Sequence, residues 1–313
     1  VYAEETVPFN VSFFYPLSIN RTNDASVNFN LGVLYSHVGS VHGVDLTGVA
    51  SVIGDDLTGA QGAGVAGIVE GSINGYQASG VVSVCEGDVL GFQTSGVVSV
   101  TGGAFTGIQG GGVVSVAGGE FNGLQTAGVV NVLGGEGVGG QMGVINVAKN
   151  IRGFQIGVVN IAEQMDGIPI GLVNIASNGE VNAIAFGSTF SGINVGAKFL
   201  VNNWYSIVAL GGGDVEDDFD EQFASSWFYG YRAPIGPAYV EADLGSMSLY
   251  DTDDSRVDES DVTHAQLVRL TAGWDITSNF SIFAGVGAGY EYEGGKFDEG
   301  DGVAHLFGGI TLF

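Results

Sequence analysis

The chain has 313 residues, of which 55 are Gly and five are Pro; 45% are apolar and only 13% charged, and mean hydropathy is +0.30. Thirty-four acids against eight bases give a formal charge of −26, which excludes the clustered Lys and Arg that bind phosphate, so nucleic acid is not an expected partner. The single Cys85 excludes an intrachain disulfide framework and a thiolate metal cluster, and no run of about 18 apolar residues offers a transmembrane helix.

At the start, Val1-Tyr2-Ala3 followed by Glu4-Glu5 reads as the tail of a small-x-small cleavage site, which favours export. Two alternating runs follow. Phe9, Val11, Phe13, Tyr15 and Leu17 alternate with Asn10 and Ser12 in one; Val27, Phe29, Leu31, Val33 and Tyr35 alternate with Asn28 and Asn30 in the other. Period-two alternation marks strands, and residues 1–40 are expected to supply N-terminal barrel strands.

Residues 41–180 are an internal repeat. The first Gly of each unit falls at 43, 59, 75, 91, 107, 123, 139, 153 and 167, a spacing of sixteen residues six times and then fourteen twice. Two residues later stands Gln61, Gln77, Gln93, Gln109, Gln125, Gln141 and Gln155, until Pro169 ends the column. A Val-Val-Ser-Val-like run closes each unit; its polar member is Ser83, Ser99 or Ser115 and then Asn131, Asn146, Asn160 and Asn174. Recurring Gly excludes helix at about 1 kcal/mol per residue, and the β-branched residues favour strand. Two architectures fit, a hairpin meander and a β-solenoid. The solenoid is favoured, because it stacks like on like at about 4.8 Å and so explains identical columns. The Gln and Asn columns are then internal ladders that hold register, with a flat binding face as the other reading.

Residues 181–313 follow a different rule. Strand-like runs 193–201, 204–212, 223–233, 238–250, 263–274, 280–292 and 303–313, with 181–188 as a further candidate, are joined alternately by short turns and long acidic segments. That alternation, an apolar face opposite a charged one, and aromatic residues near strand ends are the pattern of an outer-membrane barrel. Lys198, Arg232 and Arg269 are expected to meet Glu241, Asp243 and Glu291 as lumenal ion pairs, with Asp243 across from Arg269. Two N-terminal strands and seven or eight C-terminal ones predict eight or ten, with the repeats inserted between the second and third. The final Phe313 resembles the terminal signature of such barrels.

The repeats Gly153-Phe154-Gln155-Ile156-Gly157-Val158-Val159-Asn160 and Gly167-Ile168-Pro169-Ile170-Gly171-Leu172-Val173-Asn174 resemble the Gly-rich surface-repeat proteins of Leptospira and Bacteroidetes. The resemblance implies an exported envelope protein and supplies no catalytic residues.

Chemistry-bearing patterns are sparse. His37, His42, His264 and His305 are scattered. Gly62-Ala63-Gly64-Val65-Ala66-Gly67 matches a phosphate-binding fingerprint in letters but has no helix after it. The acidic segments are the best ligand candidates, and Asp251, Asp253, Asp254 and Asp258 are the candidate Ca²⁺ ligands, although EF-hand spacing is not met; no other cofactor is expected. The expectation is an all-β chain: an antiparallel barrel of eight to ten strands carrying a Gly-rich solenoid of about nine repeats. As a non-enzymatic protein of the bacterial outer membrane and cell surface, it would contact membrane lipid and protein partners or copies of itself. A pore or transporter, and a soluble secreted solenoid adhesin, are the rival readings.

Overall fold

The computed structural model describes residues 6–20, 25–212, 222–251, 262–294 and 297–313. They are nearly all strand, with one 3-10 turn at Phe297–Glu299. The chain divides into two compact units, Val1–Gly167 and Ile168–Phe313.

The first unit is a parallel β-solenoid of about ten turns. A regular coil has a strand of seven residues, such as Phe105–Gly111, and one of four, such as Val114–Ala117. Each strand pairs in parallel with its counterpart one unit away: Gln93 with Gln109, Val98 with Val114. This in-register parallel pairing is a solenoid's and not a hairpin meander's. In the longer strand Phe105, Gln109 and Gly111 point inward; in the shorter one Ser115 and Ala117 do.

The first Gly of every unit has a left-handed φ; Gly107, for example, lies at +135°. Such values suit Gly, which lacks the Cβ that other residues must accommodate. A Cβ there would also run into the carbonyl of Gly91 in the preceding coil. The residue two before it forms the apolar spine, with Val41, Leu57, Ile73, Val89, Phe105 and Phe121 all buried. Phe105 and Phe121 stack with ring centroids 5.5 Å apart. Gly137 interrupts this spine, and the Leu133 side chain lies where its Cβ would be.

The described residues of the 1–40 segment correct the expectation that it forms barrel strands. Thr6–Phe14 pairs in parallel with Ser26–Val38, which pairs onward with Val41–Thr47 and Ala50–Ile53. Asn30 stands over Asp45 and Ser36 over Ser51, in the same columns as the repeats. The described N-terminal strands are therefore further solenoid strands, and the solenoid precedes the barrel instead of interrupting it. Alternation misled because both structures put polar residues inside and apolar residues outside. The change from sixteen to fourteen residues per unit comes where Val130–Met142 runs as one continuous strand, with a register shift between Leu133 and Glu136.

The second unit contains a closed antiparallel barrel of eight strands. They are β1 (Gly179–Ser188), β2 (Ile193–Val201), β3 (Trp204–Gly212), β4 (Gln222–Ile235), β5 (Ala238–Asp251), β6 (Val262–Thr277), β7 (Phe280–Glu293) and β8 (Asp301–Leu312). β8 closes on β1, with Ala183 opposite Leu312 and Ser188 opposite Phe307. All eight strands come from residues 179–312. Val195, Leu244, Val268, Leu270 and Trp274 face outward and are exposed. The interior is not uniformly polar, however: Phe186, Phe228, Met247, Leu267 and Phe307 form a buried apolar cluster within it.

Candidate functional site

The barrel interior gathers most of the charges expected there. Asp243 on β5 lies directly across from Arg269 on β6. Arg269 grips it bidentately, Nε to Oδ1 at 2.8 Å and a terminal nitrogen to Oδ2 at 3.0 Å. Tyr205 on β3 donates its hydroxyl to the same Oδ2 at 2.6 Å. The guanidinium also stacks on Phe228, with Cζ 3.2 Å from the ring centroid, and lies 4.5 Å from Phe307. Lys198 donates to Glu241, and both are buried. Its ammonium sits 4.1 Å from the centre of the Tyr205 ring.

Arg232 is differently placed. It lies only within 4.0 Å of Glu241 but makes two hydrogen bonds to Asp275, at 3.0 and 3.1 Å. Its guanidinium covers the Tyr239 ring at 3.7 Å. Glu291 corrects the expectation that it joins this network. It stands opposite Ala265 and Asp301, at the far ends of its neighbouring strands, and forms no ion pair among the described residues. Sequence reasoning missed Asp275, which lies near the end of β6 opposite Ser281, and Tyr205 and Tyr239.

Around these charges the interior is tightly packed. The space bounded by Lys198, Glu241, Asp243, Arg269 and Phe307 has a residual void of about 10 Å³. Each of the two carboxylates is matched by a cation, and Asp243 by the Tyr205 hydroxyl as well, as buried charges require. Chemically, the arrangement holds strands together across the barrel and leaves no room for a reactant.

The solenoid interior is the second candidate. Gln77 Nε2 donates to Gln61 Oε1 at 2.8 Å, and the same bond repeats upward through Gln93, Gln109 and Gln125 at 2.9 Å each, then Gln141 and Gln155 at 2.7 Å. The other amide hydrogen of each middle Gln reaches a backbone carbonyl of the short strand, such as Val116 at 2.9 Å from Gln109. The Asn column runs the other way. Asn131 donates to Asn146 at 2.9 Å, and Asn146 to Asn160 at 2.8 Å. Asn174, in the second unit, donates to Gly171 O and Ser206 Oγ, both at 3.0 Å. Ser83, Ser99 and Ser115 each bond a carbonyl of the next coil.

Asp45 ends the run of donors that starts in the N-terminal strands. Asn10 donates to Asn30 at 2.9 Å, and Asn30 to Asp45 Oδ1 at 2.6 Å, so these donors point toward the C-terminus. The Gln donors point toward the N-terminus, and Gln61, which faces Asp45 in the coil register, ends that ladder with its Nε2 unpartnered among the described residues. Ser51 also donates to Asp45, at 2.5 Å. Burial pushes this carboxyl above its ordinary range, against the lowering effect of the bonds from Ser51 and Asn30. Burial likewise pushes the Cys85 thiol up to about 12, so it is not an activated nucleophile.

The proposed Ca²⁺ ligands Asp253, Asp254 and Asp258, and the side chain of Asp251, lie outside the described residues. Among the described residues no group of three His, Cys, Asp or Glu could hold a metal ion.

No protein-family model matches the chain, and no curated protein does. One solved structure, Neisserial surface protein A, is similar at 15% identity, covering 42% of this chain and 93% of that one with a TM-score of 0.30.

Proposed function

We propose that the chain is a non-enzymatic protein of a bacterial outer membrane, in which the barrel is the anchor and the solenoid has a structural or partner-binding role. One observation carries this reading: the barrel is aliphatic outside and holds its charges inside. Val195 and Val268 are 59% and 64% exposed, whereas Lys198 and Arg269 are 3% and 2% exposed. In water that distribution is unfavourable on both sides of the wall; in lipid it is the stable one. Closure leaves no strand edge unpaired, as a membrane span requires. The tightly packed interior favours an anchor over a pore.

Chain direction bears on sidedness. β1 begins and β8 ends at the same end as the short connections β2–β3, β4–β5 and β6–β7. Short turns of outer-membrane barrels face the periplasm, so on this reading the chain enters the barrel from the periplasmic side.

The test is refolding of the full chain into phosphatidylcholine vesicles. The expected result is a band that resists carbonate extraction and migrates differently before and after boiling, with no single-channel steps in a planar bilayer. Release by carbonate without detergent would overturn the membrane reading, and regular conductance steps would favour the pore.

A further inference from the structure

The solenoid shares the inverted polarity of the barrel but has a direction to it. Its interior holds columns of Gln, Ser and Asn beside the apolar spine. Its outside carries apolar columns on three adjoining surfaces. The residue after the second Gly of each unit is Val in eight successive coils from Val49 to Val158, and these side chains are 36–44% exposed. This column is a ridge between the two strands of every coil. On one flank of the ridge the outward positions of the short strands are Val98, Val100, Val114, Val116, Val130 and Val132 in three consecutive coils. The opposite flank presents Tyr76, Phe92 and Ile108 from the long strands, each 40–49% exposed. The two strands of a coil meet through their inner side chains, as Ser83 Oγ does with Ser79 Oγ at 3.0 Å, so these flanks face away from each other.

Charge is confined to the edge farthest from the ridge. In the regular coils every exposed acid lies at the bend after the short strand: Asp55 and Asp56, Glu70, Glu86 and Asp88, Glu120 and Glu136. In the shorter coils Lys149, Arg152, Glu163 and Asp166 fall around the same bend. A short strand of four residues puts about 13 Å between the ridge and this edge, at 3.3 Å per residue. Half of a ~30 Å hydrocarbon core is about 15 Å.

We propose that the ridge of the solenoid inserts into a single lipid leaflet, with the acidic edge left in water. Two observations select lipid over a second copy of the chain. The ridge, the short-strand flank and the Tyr76–Phe92–Ile108 column are apolar at once, with Thr94 and Thr126 between that column and the ridge; a rigid partner seated on one flank leaves the other bare, whereas acyl chains cover all three. The ridge backbone is also already satisfied, because the amides of Val113 and Val114 bond the carbonyl of Val97 in the preceding coil at 2.9 and 3.0 Å. That is the condition for placing backbone in hydrocarbon. The acyl core, not an anionic headgroup, is the recognised chemistry, because the edge nearest the headgroups is mostly acidic. The inference rests on the first unit and requires of the barrel only that the full chain meets a bilayer.

The experiment places a polarity-sensitive fluorophore on single cysteines in the full chain with Cys85→Ala, reconstituted in phosphatidylcholine vesicles with and without acyl-brominated phosphatidylcholine. The sites are Val113→Cys and Val97→Cys on the ridge, Glu120→Cys on the acidic edge and Val268→Cys on the barrel exterior. The expected result is blue-shifted emission at 97 and 113 that bromolipid quenches several-fold, with 120 quenched by aqueous iodide instead. Iodide quenching at 113 equal to that at 120 would overturn the proposal. So would shielding of 113 from both quenchers together with a disulfide between two chains carrying Val113→Cys, which would assign the ridge to a second copy. Bromolipid quenching at 268 but not at 113 sinks this inference alone; its absence at both sinks the barrel reading as well.

Discussion

The two units solve one problem, polar groups shut inside a β wall, by different chemistry. The solenoid uses neutral amides and hydroxyls that repeat from coil to coil: Gln109 gives to Gln93 what Gln125 gives to it. The barrel uses full charges, each employed once: Arg269 on Asp243, Lys198 on Glu241, Arg232 on Asp275. Translation explains the difference. A stacked array presents the same environment at every step, so one donor–acceptor group serves every coil. Around a closed ring each inward position differs from the next, and a specific opposite charge fixes which strands meet. Neutral ladders spread their stabilisation over many residues; ion pairs concentrate it in a few.

That contrast predicts unequal damage. Arg269→Met leaves Asp243 buried with Tyr205 as its remaining side-chain partner, and the expected loss is about 3–5 kcal/mol. The urea midpoint of the full chain in detergent checks it. Adding Asp243→Leu should recover much of the loss, since replacing both charges is far less costly than stranding one. Should the single variant prove harmless, the barrel would not depend on its charges and the contrast would fail.

Gln109→Leu is the matching cut in the ladder. Gln93 Oε1 still receives Thr101 Oγ1 at 2.9 Å, and Gln125 Nε2 still reaches Val132 O at 3.0 Å. The Val116 carbonyl and Thr101 Oγ1 lose their described side-chain donor. The expected loss is roughly 1–3 kcal/mol, smaller than for Arg269→Met in the same urea experiment. The smallest effect is at Asp45. Its raised carboxyl pKa means that the folded state holds the proton more tightly than the unfolded state. Its contribution is therefore fully present below the ordinary carboxylate value of about 4 and is lost as pH rises through the raised folded value. Asp45→Asn should remove this part of the pH dependence, and thermal melts of both proteins from acid to neutral pH measure it.

Much of this contrast was legible in the residues. Identical columns at fixed spacing require neighbours related by translation, and the Gln column led directly to the ladder. Asp243 and Arg269 could be aligned by centring the hairpin between them. Three features were hidden for physical reasons. Residues 6–38 carry the alternation of a barrel strand, and only their pairing partners distinguish the two uses. The apolar cluster around Phe228, Met247 and Leu267 lies on the inward face of strands whose outward face is also apolar, which weakens the alternating signal. Glu291 lies on the inward side of its strand but too near the end to reach a cation, so its parity was informative and its depth was not.

The column of left-handed glycines has a consequence for how such a chain changes over generations. Each coil rests on the carbonyl edge of the coil before it, and nothing in a middle coil refers to its ordinal position. Gaining or losing one whole unit leaves every junction of the same kind, whereas a single inserted residue moves a Cβ into the place reserved for Gly and breaks the stack at that point. Array length is thus free to drift in whole units while the spacing within a unit is held fixed. The step from sixteen to fourteen residues, absorbed where Val130–Met142 runs straight through, marks the tolerated exception: a bend can be deleted, provided the glycine still falls over the glycine below.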